Sequence, residues 1–164
     1  MVSSPFSAAG ILSSPNPSIE PTTFHPPRHI AVRLWNIYVS NAAPATGFEL
    51  LHQPTDEVRV YSTIDCPGTA SYDDLAFCFA VYFTAVVSLD EAEAQVILDE
   101  DKDSVLHRFK AGLEQALAHG NFLDCPTVTA LSAFATYLVW NPIVVEPTYF
   151  KDETKQIDSI TVRI

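Results

Sequence analysis

Basic side chains are scarce in this chain. Nine Lys and Arg face 20 Asp and Glu over 164 residues, a formal charge of −11. A surface that acidic repels phosphate backbones and anionic lipid, and no run of Lys or Arg reverses the sign locally. The expectation is therefore no direct nucleic-acid binding and no membrane contact. Cysteine is scarce too. Cys66, Cys78 and Cys125 are far apart, odd in number and form no CxxC pair, whereas a structural zinc site takes four close ligands. They read as thiols of a reducing compartment. Five glycines leave little room for phosphate-cradling loops, and there is no P-loop, dinucleotide fingerprint or nucleophile elbow. A long apolar run is also missing. Residues 75–89 are uncharged but fall short of the roughly 20 residues a span needs. Asp73, Asp74, Asp90 and Glu91 flank them in place of basic anchors. The N-terminus has neither a basic n-region nor an apolar h-region, and Asn16-Pro17-Ser18 is barred from glycosylation by its proline. An intracellular protein is expected.

What is present is helical periodicity, in a length that fits one domain with a modest tail. Val105, Leu106, Phe109, Leu113, Ala116 and Leu117 recur at three- and four-residue steps, with Arg108, Lys110, Glu114 and Gln115 on the polar side. Asp103 or Ser104 caps the start of this helix. His119 and Gly120 close it, the glycine as a residue that tolerates a left-handed backbone. The next helix opens at Pro126, after Asp124, with Val128, Leu131, Phe134, Ala135 and Leu138 along one side; with the bundle incomplete, this helix from Leu131 to Trp140 is expected to expose an apolar patch. Asp73 to Val87 is apolar nearly all round and belongs in the middle of a bundle. Ser88-Leu89-Asp90-Glu91 has the form of a capping box for a short helix through Leu98. Ile30, Leu34, Ile37 and Tyr38, with Trp35 beside them, form one face of a first helix ending near Asn41.

The remaining segments are less regular. Residues 1–28 are rich in Ser and Pro and read as a disordered or loosely draped lead. Residues 48–55 form a compact apolar segment closed by Pro54, followed by a short extended piece at Val58–Tyr61 and a turn at Pro67-Gly68. Beyond Asn141 the composition turns strand-like, with Ile160, Val162 and Ile164 alternating.

Candidate chemistry yields no site. Asp99, Asp101 and Asp103 have the opening spacing of a calcium loop, but its sixth and twelfth positions fall on Ser104 and Lys110, so a solvated helix-start connector is the reading. His25 and His29 have i,i+4 spacing with Pro26-Pro27 between them, which breaks a helical metal site. His52 reads as a hydrogen-bonded structural histidine, and His107 and His119 stand alone. Asp73 and Asp74 adjoin in sequence and so do not face one another as an acid–base pair. The site expectation is none: no catalytic residue, no cofactor, no metal, not an enzyme.

Three segments resemble the regulatory middle region of fungal transcription factors of the zinc binuclear-cluster (six-cysteine) class. Residues 34–55 carry a Trp35/Tyr38 helix followed by Asn41-x-x-Pro44 and Leu51-His52-x-Pro54-Thr55. Residues 73–94 carry Phe79-Ala80-x-Tyr82 and Ser88-Leu89 within the central helix. Residues 106–138 are the closest in pattern, with Arg108-Phe109-x-x-Gly112-x-Glu114-Gln115-Ala116-Leu117, then Asn121-Phe122-Leu123, then Leu131-x-Ala133-Phe134-x-x-Tyr137-Leu138. The family's basic six-cysteine zinc cluster has no counterpart here, and residues 141–164 bear no likeness to the helices that continue the region in the family. None of the family's base-contacting or zinc-binding residues is carried over. Phe109, Gly112, Leu117 and Tyr137 match as packing positions. Gly112 inside a helix costs about 1 kcal/mol against Ala, which points to a close neighbour there.

The resulting expectation is all-α: an incomplete bundle of about five helices at residues 29–140, a lead at 1–28 and an irregular tail at 141–164. What the resemblance implies is a regulator-like protein without its own DNA-binding module, truncated or a remnant. It implies association with itself or with a full-length transcription factor, in the nucleus with the cytoplasm as alternative. The alternative function is a small helical ligand-binding protein or enzyme with a pocket lined by Phe77, Tyr82, Phe83, Phe134 and Tyr137.

Overall fold

The structure, a computed structural model, describes residues 16, 18–45 and 53–141, Ala45 and Gln53 by their backbone alone. His52, the apolar segment before Gln53 and the strand-like tail lie outside the described residues. Every regular element among those residues is a helix, and no strand is present among them. In chain order they are a 3-10 turn at Pro21–Phe24, α1 (Arg28–Ile37), a π-turn (Tyr38–Ala42), α2 (Ala43–Ala45) and α3 (Gln53–Asp65). After these come α4 (Tyr72–Val87), α5 (Glu91–Leu98), α6 (Lys102–His119) and α7 (Val128–Trp140).

α4 is the axle. Ser71 caps it by accepting the Asp74 N–H at 3.1 Å, and every residue from Leu75 to Val86 is buried. Burial on all sides requires neighbours on all sides, and α1, α3, α6 and α7 supply them. The acids at its start are both engaged. Asp74 pairs with Arg59 of α3 at 3.1 Å, and Asp73 accepts the Thr127 hydroxyl at 2.8 Å.

α6 buries the expected stripe of Val105, Leu106, Phe109, Leu113, Ala116 and Leu117. Gly112 belongs to the same face: a Cβ there would lie 2.7 Å from the Phe79 ring of α4. Gly112→Ala gains about 1 kcal/mol of helix propensity. It must also displace a fully buried ring, at about 1–3 kcal/mol. The expected outcome in urea unfolding is a net loss of up to about 2 kcal/mol; a stabilised variant would show that the ring yields freely.

Several local expectations need correction. Asp101, rather than Asp103 or Ser104, caps α6 through the Ser104 N–H at 3.1 Å. Gly120 has φ −78, and the left-handed residue is its neighbour Asn121, φ 52. α5 is capped by Asp90 with Glu93, both halves of the box being present, while the Ser88 hydroxyl donates back to the Ala85 carbonyl at 2.7 Å. α7 starts after Thr127, whose hydroxyl accepts the Ala130 N–H at 3.1 Å. The extended piece at Val58–Tyr61 is helix instead. α3 buries Asp56, Val60, Thr63 and Ile64 at helical spacing, and Pro54 falls in its first turn, where no amide hydrogen is needed. With α1, the π-turn and α2 counted as one continuous helix, this is the sixth among the described residues, beyond the five expected.

The π-turn continues α1. On α geometry a four-residue step overshoots a full turn by about 40°. The wider coil cancels that drift, so Leu34, Tyr38 and Ala42 are all buried.

Candidate functional site

α7 departs most from its sequence reading, and its surface is the candidate site. One side was expected to be lined by Val128, Leu131, Phe134, Ala135 and Leu138. Instead Ala130, Ala133, Thr136 and Tyr137 are the buried residues of α7, and the two alanines let it approach α4 closely. The Tyr137 ring centroid lies 5.0 Å from that of Phe83, and the buried Asn141 amide donates to the Tyr137 hydroxyl at 3.1 Å. Phe134 packs at 5.4 Å on Phe122, half-buried. Val128, Leu131 and Val139 are turned outward, 81%, 48% and 42% exposed, and Leu123 in the preceding turn is 65% exposed. With Ala135, positions 128, 131 and 139 sit at steps of three and four, which places them on one stripe. Single exposed apolar residues need no explanation, whereas a stripe of them on one helix does.

Beneath α7 lies a polar element that the sequence placed on the solvent side. The Lys110 side chain is only 8% exposed and pairs with Glu114 at 3.6 Å, longer than a hydrogen bond. Burial raises the Glu114 pKa, with the Lys110 charge pulling it back. Tyr137 is pushed up to about 12 by burial and then by the Glu114 charge. Burial also lifts Cys78 to about 12, and lifts Tyr38 to about 12 with help from the Asp56 charge. Tyr137, Cys78 and Tyr38 stay protonated near neutrality, so these three are structural and not activated nucleophiles.

The other candidate residues are dispersed. His29 is exposed on α1, while the His25 ring sits against Tyr82. The His107 Nδ1 donates to the Asp103 carbonyl at 2.8 Å, and His119 stacks on Tyr72 at 5.2 Å. Asp99 takes a left-handed backbone, φ 54, as the C-cap of α5. Among the described residues no three His, Cys, Asp or Glu side chains are grouped to hold a metal ion. No helix among them is long and apolar enough to cross a membrane. A cavity of about 440 Å³ lies between α3 and the start of α4, where Arg59 is held by Asp56 and Asp74 at 3.1 Å each. A second, of about 300 Å³, lies between α1 and the α5–α6 corner, where Arg108 is held by Glu100 at 2.8 Å. Neither is lined by Phe77, Tyr82, Phe83, Phe134 or Tyr137; four of these fill the core and Phe134 packs at its edge.

Fold and surface define an all-α bundle whose outstanding outer feature is an apolar helix stripe. In sequence it is related to fungal C6 zinc-cluster transcription regulators. The aurofusarin cluster transcription factor aurR2 of Gibberella zeae is 33% identical over 107 residues, 65% of this chain and 16% of that protein. The pyriculol/pyriculariol biosynthesis cluster transcription factor 1 of Pyricularia oryzae is 32% identical over 69% of this chain and 15% of its own length. A C6 finger domain transcription factor, nscR of Arthroderma gypseum, is 29% identical over 68% of this chain and 16% of its own. The chain thus spans about one sixth of the length of these relatives. No family model matches the chain, and no solved structure matches it.

Proposed function

We propose that this chain acts as a non-enzymatic, transcription-regulator-type helical unit in the nucleus, working through protein association and not through its own contact with DNA. Residues 29–140 form that unit in this reading, with 1–28 and 141–164 as flanks. The observation that carries it is the stripe of Val128, Leu131 and Val139 on α7, in a chain related to known regulators. The −11 charge favours leaving phosphate contacts to another segment or a partner. Two of the relatives are named for biosynthetic clusters, so control of such a cluster is the setting we infer. The occupant we assign to the stripe is a second regulator chain of the C6 zinc-cluster class, identical or related.

Light scattering of the purified chain, with co-purification against a tagged full-length zinc-cluster regulator, tests this. Wild type should self-associate or retain the regulator. Leu131→Glu with Val139→Glu should give a helical monomer that retains nothing, with affinity lowered at least about 100-fold. A wild-type chain that is monomeric and retains no such regulator overturns the proposal.

A further inference from the structure

Arg33 stands apart from the other basic side chains. Arg28, Arg59, Arg108 and Lys110 each pair with a carboxylate, and Lys102 donates to the Leu89 carbonyl at 2.6 Å. Arg33, on α1, is exposed and has no partner among the described residues. In a chain with more than twice as many acids as bases, an unanswered guanidinium needs a reason.

It stands at the cleft of about 300 Å³ between α1 and the α5–α6 corner. Pro27 and Ile30 line this cleft on the α1 side, and Ile97 and Leu98 on the α5 side. Leu98 is buried and the two isoleucines pack on the core, so the apolar floor is fixed in place. The acids of the corner do not answer Arg33. Glu100 is taken by Arg108, whose Nη1 donates to both of its carboxylate oxygens, at 3.0 and 2.8 Å. Asp99 sits at the left-handed C-cap of α5 and forms no ion pair with Arg33. Arg108 also keeps a buried Nε–H that donates to nothing. His29, one turn before Arg33 on the same side of α1, brings a ring N–H to the rim.

We propose that this cleft binds a small carboxylate with an apolar body, Arg33 holding the carboxylate while Ile30 and Ile97 hold the body. This does not rest on the association reading of α7. A planar guanidinium matches a carboxylate with two parallel N–H···O bonds, and a fixed apolar floor gives the rest of the molecule a place out of water. The volume lies at the lower bound of small-molecule sites, which limits the ligand to one short apolar group. A phosphate or other polyanion is disfavoured, because Asp99 and Glu100 share the rim and the whole chain carries −11.

Titration of the full chain with phenylacetate, followed through backbone amide shifts in nitrogen–proton correlation spectra, tests this. Saturable shifts are expected at Ile30, at Arg33 and along residues 97–100. Arg33 is exposed, so Arg33→Gln keeps the fold. It should weaken phenylacetate binding at least about tenfold, the loss of a charge-assisted hydrogen-bond pair. Phenylacetamide, with the same body and no charge, should bind at least about tenfold more weakly than phenylacetate. Acetate, with the same head and almost no body, should be weaker by at least about the same factor. Three results would each overturn the proposal: no saturable shifts at the cleft in wild type, undiminished binding in Arg33→Gln, or binding of the amide or of acetate as tight as that of phenylacetate.

Discussion

Phe109→Ala is expected to lower the unfolding free energy by about 3–5 kcal/mol, against a total of about 5–15 kcal/mol for a domain of ordinary stability. The ring is fully buried where α4 meets α6, 5.5 Å from Tyr82 and 6.5 Å from Phe79, with the Arg108 guanidinium 5.3 Å from its centre. Truncation loses the transfer free energy of the ring and leaves a void that its two rigid aromatic neighbours, Tyr82 and Phe79, cannot refill. Urea unfolding followed by circular dichroism measures it. A loss below about 1 kcal/mol would show that the seam collapses easily and is not the packed centre of the bundle.

Lys110→Met is the second large effect, and its size depends on pH. Removing one partner of a fully buried ion pair costs about 3–5 kcal/mol, because the other charge is left buried and alone; Glu114 is half-buried, so the loss here lies below that range. Glu114 already has a raised pKa from burial, opposed by Lys110. Without the lysine its folded-state pKa climbs further above the unfolded value. A carboxyl in that condition destabilises the fold when ionised, and the penalty fades as pH falls through the folded pKa and the group takes up a proton. The deficit of Lys110→Met should therefore be greatest near pH 8 and shrink towards pH 5. Lys110→Met with Glu114→Gln should lose the pH dependence. A deficit that grows on acidification would rule out this role for Glu114.

Legibility in the sequence followed how many directions each helix leaves open. α4 was readable because an uncharged run bounded by acids fits only the middle of a bundle. The stripe of α6 was readable because apolar and polar positions separate cleanly, Lys110 being the exception. Its long side chain reaches Glu114 four residues on, a pairing that pattern alone assigns to the surface. α3 was hidden because its inner face is Asp56, Val60, Thr63 and Ile64, half of it polar, and because Val58 and Val60 imitate strand alternation. α7 was recognised as a helix but turned the wrong way. An uncharged helix with Thr and Ser scattered around it shows no single preferred face, and the deciding residues were the small ones, Ala130 and Ala133, which carry little hydropathy but permit close approach. The cap of α5 was ambiguous because Ser88 and Asp90 each have a glutamate three residues on. The family resemblance rested on packing residues, and the buried positions of Phe109, Gly112, Leu117 and Tyr137 agree with that role.

A helix of even pitch has no place to lose or gain a residue without spinning everything beyond it about the axis. The wide coil at Tyr38–Ala42 is such a place. It holds one residue of slack between the docked half of α1 and the chain beyond Ala42. A one-residue insertion or deletion between Trp35 and Ala42 can then be absorbed in that single loosened coil, leaving the anchoring of Trp35 undisturbed.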